Sequence, residues 1–407
     1  MSPGHRRNPR REAALTSAPS SSDTPAPSPP LWAGYRVSVS SIGAFPLVLA
    51  MPLMFFPKLL EGDTQPWVLM AALLALVTFR TSRFLLARDG ALLALALFCV
   101  PVFALRAQST GDLVRATYIY LSFAVLWLVC RRESGDIFPA AVKFTIVVWF
   151  VVGLYQYVFV ALGLPIEISG RYVEGRSGVP SLTSEPATYG TLSLLQIMYL
   201  LGQTKGRTTP YLCAAAISIV LSGSLLAFAL MIFPILRLPA KVRLPVVAAI
   251  VGLIAADFAF SASGVTSRVL AFNQLAGNLA AILLDASLNL RAGHLYFTLY
   301  ENLTDSLLMR GEIAFMQQYN AFAARSSLFI DTGSNFILPA IGDVIYGTGV
   351  VGLALLVLFF RASLAGCSST RARLQKGLFM LACMVNPISL SNVFLILYAQ
   401  KKEQSST

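Results

Sequence analysis

The segment GRYVEGRSGVPSLTSEPATYG, residues 170–190, combines arginines and carboxylates directly before an apolar stretch. Glu185 precedes Pro186, which is typical of a helix start, where a carboxylate is favoured by the helix dipole. Arg171 and Arg176 stand earlier in the segment, and guanidinium groups form planar, bidentate hydrogen bonds with phosphate oxygens. Two interpretations stay open: these are ordinary loop and helix-start charges, or they hold an anionic head group at a membrane surface.

A second group lies in LLDASLNLRAGHLYFTLYENL, residues 283–303. Its apolar spacing predicts a helix along a membrane interface. Arg291 and His294 are three residues apart, so on a helix they would share a face. A histidine among aromatic residues is more often structural than a catalytic base, and both roles stay open.

A third segment, DTGSNFILPAIGDVIYGTGVVG at residues 331–352, leads back into an apolar stretch. Ser334 and Asn335 lie at the expected helix entrance, where capping is the default role. Asp343 is expected about two turns inside this helix, and a carboxylate within a membrane is a functional candidate.

The composition places these groups in a membrane protein. Of 407 residues, 56% are hydrophobic and 12% charged, whereas soluble domains have about 25% charged residues. The net charge of +12 comes from 31 basic and 19 acidic residues. Because the basic residues are scattered between apolar segments, they indicate membrane topology rather than a nucleic-acid surface.

The cysteines and histidines predict no cofactor. The five cysteines lie in or beside apolar segments without the spacing of a metal or redox motif, so they are interpreted as small apolar residues. The only histidines are His5 and His294, which argues against a histidine-based metal site.

The apolar stretches predict an all-α, polytopic membrane protein with about eleven transmembrane helices. The segments run over 37–57, 66–79, 90–105, 113–130, 137–162, 187–202, 210–222, 224–236, 244–260, 336–360 and 377–398. The basic, Pro/Ser-rich residues 1–36 are predicted to form a disordered tail. Residues 37–398 would form a single transmembrane domain, followed by a short tail at 399–407.

Basic residues fall in every second gap between the segments, on the side of the N-terminal arginines, which predicts a cytoplasmic N-terminus. This alternation requires two short helices, hinged at Ser222–Ser224, rather than one span over 210–236. Loops 163–186 and 261–335 would then lie outside, with most of the acidic residues. The last segment has a break at Asn386-Pro387, so it is either one span or a re-entrant hairpin.

Three motifs resemble those of Wzy-type O-antigen and exopolysaccharide polymerases, in the wider O-antigen ligase-like superfamily. RSGVPSLTSEPATYG resembles the Arg-x-Gly…Ser-Glu-Pro signature, and Ser287-x-Asn289-x-Arg291 the arginine motif of the large periplasmic loop. Ser334-Asn335 followed by Gly347-x-Gly349-x-x-Gly352 resembles the return from that loop into the membrane. The resemblance covers residues 37–398 and rests on the order and spacing of these motifs.

The resemblance implies a glycosyltransferase of the GT-C type in the bacterial inner membrane. It would act on undecaprenyl-pyrophosphate-linked glycans without metal or other cofactor, and a chain-length regulator and export machinery are expected partners. Arginines could stabilise the pyrophosphate leaving group, and Glu185 would orient an arginine or take the acceptor proton. The expected catalytic residues are Arg176, Glu185 and Arg291, and the expected substrate-binding residues are Arg171, Arg268, Ser287, Asn289, His294 and Asn335.

One departure bears on the choice within the superfamily. O-antigen ligases usually carry a histidine where this chain has Ser334, which favours a polymerase and leaves the ligase as the close alternative. A flippase of lipid-linked oligosaccharides is an alternative of another class, although it would be expected to carry more mid-membrane charges and an internal repeat. A non-catalytic partner of a polysaccharide export system also stays open.

Overall fold

The computed structural model is mostly helical, which confirms the all-α fold class. It describes residues 39–55, 57, 65–78, 87–106, 118, 120–129, 137–164, 167–168, 171–172, 178–201, 208–260, 286–304, 312–326, 328–330, 339–365, 367 and 369–386. The helices are α1 (Val39–Ala50), α2 (Trp67–Thr78), α3 (Ala87–Arg106), α4 (Tyr120–Val129), α5 (Ile137–Ala161), α6 (Pro186–Leu201), α7 (Thr209–Ser222), α8 (Leu225–Leu236), α9 (Ala240–Phe260), α10 (Ala286–Thr304), α11 (Glu312–Arg325), α12 (Ala340–Ala365) and α13 (Thr370–Met384). A 3-10 turn at Met51–Leu53 follows α1, and the two-residue strands β1 (Glu167–Ile168) and β2 (Arg171–Tyr172) pair antiparallel.

Among these helices, α5 and α12 have the length and apolar composition to cross a membrane. About a third of the α5 span is buried, which is unlike the core helix of a soluble protein. Its exposed side chains include Phe144, Val147, Val151, Leu154 and Val158. Shorter apolar helices include α2, α4, α7 and α8. A membrane location is thus supported in outline, and the number of eleven crossings stays a prediction.

The hinge at Ser222–Ser224 is present, and it separates α7 from α8. Gly223 ends α7 in the left-handed conformation, with φ 61°, which glycine adopts without a steric penalty. Ser224 begins α8, because its hydroxyl accepts a hydrogen bond from the Ala227 N–H. At about 1.5 Å per residue, α7 and α8 are about 21 and 18 Å long, shorter than the ~30 Å hydrocarbon core of a bilayer.

Helix α12 is interrupted at Gly349, whose φ of 64° and ψ of −156° are not helical. This backbone region is essentially restricted to glycine. The prediction that Asp343 lies two turns inside the helix is wrong. Helix α12 begins only at Ala340, after Pro339, so the buried Asp343 side chain is in its first turn.

Helix α12 packs against α3, α10 and α13. Its first residue donates a backbone hydrogen bond from Ala340 N to Asn386 O, over 2.9 Å. The sequence predicts a break at Asn386-Pro387. Helix α13 ends at Met384, so the helix does stop just before this position. The choice between one span and a hairpin falls on 387–398, outside the described residues.

Two groups of buried apolar side chains hold these elements together. The larger one joins α1–α9 with parts of α12 and α13. The smaller one is aromatic and lies between α10, α11 and α12; it consists of Phe297, Phe315, Tyr319, Ala323 and Tyr346. The described residues, all from Val39 onwards, belong to one compact unit, and the predicted tails 1–36 and 399–407 fall outside the described residues.

Candidate functional site

The segment Gly178–Glu185 is held against α5 by a pair of hydrogen bonds from one side chain. Gln156 Nε2 donates to Ser181 O over 2.9 Å, and Ser181 N donates to Gln156 Oε1 over 2.7 Å. Both residues are fully buried. Ser181 has a φ of +53°, which is uncommon for a residue other than glycine. The amide of Gln156 thus fixes a backbone conformation that the chain does not favour by itself.

The carbonyl of Trp149 adds a second attachment. It accepts hydrogen bonds from Ser181 Oγ, over 2.6 Å, and from Tyr189 Oη, over 3.0 Å. The indole of Trp149 is anchored in turn, because its Nε1 donates to Pro52 O over 2.8 Å. The segment is therefore tied through α5 to the chain after α1.

The first residues of the segment lie against the α7–α8 hinge. Val179 N donates to Leu221 O over 2.9 Å. Gly178 has a φ of +115°, and a Cβ atom there would overlap the carbonyl oxygen of Ser222. Because Gly178, Val179 and Ser181 are buried, this part of the predicted outer loop 163–186 is packed into the protein.

Glu185 is exposed at the end of this segment, immediately before α6. Its carbonyl accepts hydrogen bonds from Thr183 Oγ1 and Tyr189 N. The position confirms the predicted helix start, where a carboxylate is stabilised by the helix dipole. A fixed backbone thus presents an exposed carboxylate.

We predict that Gln156→Leu destabilises the protein by about 2–5 kcal/mol. The buried N–H and C=O of Ser181 would lose their partners, and each unsatisfied group costs about 1–3 kcal/mol. Thermal unfolding of the purified protein in detergent would measure the loss. Tyr155→Leu, at the exposed neighbour on α5, is the matched control and should change stability by about 0.5 kcal/mol or less. Equal unfolding temperatures for the two variants would contradict the prediction.

On α10, Asn289 performs a similar holding role. Its Nδ2 donates to Leu328 O over 2.7 Å, and its Oδ1 accepts from Ile330 N over 2.9 Å. Tyr319 Oη also donates to Ile330 O, over 3.2 Å. The predicted substrate-binding amide therefore fixes the chain that follows α11.

Arg291 and His294 are both buried on α10, at 9% and 0% exposure, as expected for residues that share a helix face. The imidazole ring meets Phe315 and Tyr319 edge-on, with centroids 5.1 and 4.5 Å away. The same cluster contacts α12, where Tyr346 Oη donates to Gln318 Oε1 over 3.0 Å. Arg291 thus lies one turn before His294, on the helix that contributes to an aromatic unit docked on a membrane-length helix.

Burial, and then the charge of Arg291, lowers the pKa of His294 from 6.5 to about 4. At neutral pH the imidazole is therefore neutral, and the guanidinium supplies the positive charge of this pair. Arginine keeps its charge at any physiological pH. The permanent charge of Arg291 suits anion binding. The neutral imidazole of His294 is poorly suited to general acid catalysis.

The lowered pKa of His294 makes the free energy of unfolding depend on pH. The unfolded chain binds a proton near pH 6.5 and the folded protein near pH 4, so stability is full above about 6.5 and falls as the pH drops towards 4. The shift corresponds to about 3 kcal/mol. We predict that His294→Phe removes this part of the pH dependence, measured as the difference between wild-type and variant unfolding temperatures from pH 7 to pH 4. Parallel curves would contradict it.

The remaining predicted site residues are only partly placed. Arg176, Arg268 and Asn335 lie outside the described residues. The backbone of Arg171 lies in β2 and that of Ser287 in the first turn of α10. Asn289, Arg291 and His294 are brought together on α10, whereas Glu185 belongs to the contacts at the start of α6. Their catalytic and binding roles stay predictions.

The chain matches no protein-family model, no curated protein and no solved structure with which it was compared. Within the described residues, no group of three or more His, Cys, Asp or Glu side chains could hold a metal ion. The assignment of the site therefore relies on its residues and their contacts alone.

Sequence reasoning missed the residues that hold the segments in place. Gln156 and Ser181 fix the first segment, and the aromatic cluster around Tyr319 fixes the second. A glutamine within the apolar stretch 137–162 was the available signal, because a buried amide needs hydrogen-bond partners.

Proposed function

We propose that this chain is a polytopic glycosyltransferase that joins undecaprenyl-pyrophosphate-linked oligosaccharide repeat units into a polysaccharide. The reaction would take place on the outer face of the bacterial inner membrane, and the N-terminus would be cytoplasmic. Arg176, Arg291 and Glu185 are the proposed catalytic residues. A chain-length regulator and export machinery would be partners.

The observation that carries this proposal is the buried guanidinium of Arg291 on a unit docked against α12. Burying a permanent charge is costly, which makes Arg291 a candidate for a role that needs a positive charge. A pyrophosphate leaving group develops negative charge as its bond to the sugar breaks, and a preorganised guanidinium stabilises that charge. The three motifs and their order favour the polymerase among the enzymes that use this chemistry.

A second candidate, a transporter of the lipid-linked repeat unit, is favoured by one observation. Helix α12 is broken at Gly349, and the buried Asp343 lies in the half before the break. Transporter sites are often built at such discontinuous helices.

Deletion of the gene distinguishes the candidates by what accumulates and where. Loss of a polymerase leaves single lipid-linked repeats on the outer face. Loss of a flippase leaves them on the inner face, and loss of a ligase leaves lipid-linked polymer of normal length. Periodate oxidation of spheroplasts followed by a membrane-impermeant hydrazide labels only outward-facing glycan. Unlabelled single repeats, or unchanged surface polysaccharide, would contradict the polymerase.

A further inference from the structure

An apolar surface is exposed on α10 and on the chain after α11. It consists of Tyr296, Leu299, Tyr300, Leu328 and Ile330, each between 41% and 63% exposed. We call this set the α10 face. Large contiguous apolar surfaces on the outside of a protein mark contacts with partners or membranes.

The α10 face is held rigidly from beneath. The rings of Tyr296 and Tyr300 are stacked at 6.1 Å and 7°, and Tyr296 also contacts Phe322 and Phe329. Asn289 fixes the backbone of Leu328 and Ile330. The apolar side chains are therefore presented as a preformed surface.

The exposed side of α11 has a different character. Its exposed residues are polar, charged or small, namely Gln317, Gln318, Ala321, Ala324 and Arg325. The unit formed by α10 and α11 thus has one apolar and one polar exposed side. Such amphipathicity is typical of elements that lie in a membrane interface.

The contact with α12 gives the depth of this unit. The aromatic cluster packs on Tyr346, with Phe315 and Phe297 centroids 5.0 and 6.4 Å away. Tyr346 lies six residues after Ala340, about 9 Å along the helix axis. The exposed Arg361 lies near the other end of α12, beyond the break at Gly349. Helix α12 is long enough to cross the ~30 Å hydrocarbon core, and Tyr346 lies about 9 Å inside the end that is opposite Arg361.

We propose that the α10 face is a bilayer contact, seated in phospholipid at the boundary between head groups and acyl chains. The aromatic cluster packs only about 9 Å from the start of a membrane-length helix, which puts the unit near this level. The composition agrees, because tyrosines are enriched at that boundary, and Leu299, Leu328 and Ile330 add aliphatic surface that suits acyl chains. This part of loop 261–335 is accordingly a half-embedded cap, which extends the interfacial helix predicted from the apolar spacing of residues 283–303 to the chain after α11.

The cap has a consequence for the buried Arg291, which lies on the same helix. It brings the guanidinium close to the level of lipid phosphates, where a lipid-linked pyrophosphate would be held. This consequence rests on the proposed polymerase function. The bilayer contact itself rests only on α12 crossing the membrane. An experiment that disproves the bilayer contact therefore leaves the polymerase function open, and the reverse also holds.

Photocrosslinking in a bilayer tests the contact. Benzoylphenylalanine would replace Tyr300 or Leu328, one at a time, in the full chain reconstituted into nanodiscs of radiolabelled phosphatidylethanolamine and phosphatidylglycerol. Both positions are exposed, so folding should persist, as checked by gel filtration. Gln317, exposed on α11, is the matched control position. We expect at least fivefold more lipid attached at 300 and 328 than at 317.

Lipid attachment at 300 and 328 equal to that at 317 would overturn the proposal. So would capture of a second copy of the chain, seen as a crosslinked dimer, in place of lipid. Lipid capture at 328 alone, with none at 300, would also overturn it, because the α10 face requires both positions in the bilayer. The readout needs no glycan, so it is independent of polymerase activity.

Discussion

Arg291→Ala is expected to lower chain extension by about 100-fold or more while the protein remains in the membrane at normal amounts. Removing one preorganised donor to a developing anion typically costs about 100- to 1,000-fold in rate. Burial, the larger cause of the lowered pKa of His294, remains when the charge of Arg291 is removed, so we expect the imidazole to stay neutral and not to replace the lost charge. The measurement is the length distribution of surface polysaccharide in a deletion strain complemented with each variant.

Two variants separate this role from a structural one. Arg291→Lys keeps the charge but not the planar, bidentate geometry, so we expect partial activity. Arg325→Ala removes an exposed arginine of the adjacent helix α11 and should leave chain length unchanged. Wild-type chains from Arg291→Ala would disprove the assignment of Arg291, even if the deletion strain shows that the protein is a polymerase.

Features of the sequence that depend on local chemistry predicted the structure well. Gly223 and Ser224 were interpreted as a hinge because the charge alternation required one, and the structure has a left-handed glycine and a serine cap there. The spacing of Arg291 and His294 predicted a common helix face, and both are buried on α10. Helix caps and helix faces are set within a few residues, so one sequence is sufficient to predict them.

Contacts between distant segments were not predictable in the same way. The sequence predicts only that segment 178–185 lies in an outer loop, whereas the structure ties it to two helices through Gln156, Trp149 and Leu221. The start of α12 was placed too early, because the apolar composition of residues 336–339 does not reveal where helical geometry begins. Tertiary packing decides which backbone segment a buried side-chain amide binds. The spacing of apolar residues along the sequence does not contain this information.

Gly178→Ala is expected to destabilise the protein by about 2–6 kcal/mol, the largest effect among the glycines discussed. Two costs combine. A side chain at a φ of +115° is strained, at about 1–3 kcal/mol. The new Cβ would also overlap Ser222 O at the α7–α8 hinge, and relieving such overpacking costs about 1–3 kcal/mol. Thermal unfolding in detergent would measure the sum.

Two other glycines separate these costs. Gly163 has a φ of +69° and open space around it, so Gly163→Ala should show strain alone, about 1–2 kcal/mol. Gly252 lies in α9 with open space and an ordinary φ, so its alanine variant should be neutral or stabilising by up to about 1 kcal/mol. If Gly178→Ala costs no more than Gly163→Ala, the segment can move away from the hinge, and the fixed backbone that presents Glu185 is disproved. If it costs more than the roughly 3 kcal/mol that backbone strain alone can reach, the contact with Ser222 is rigid, and we expect the variant to lose chain extension together with stability.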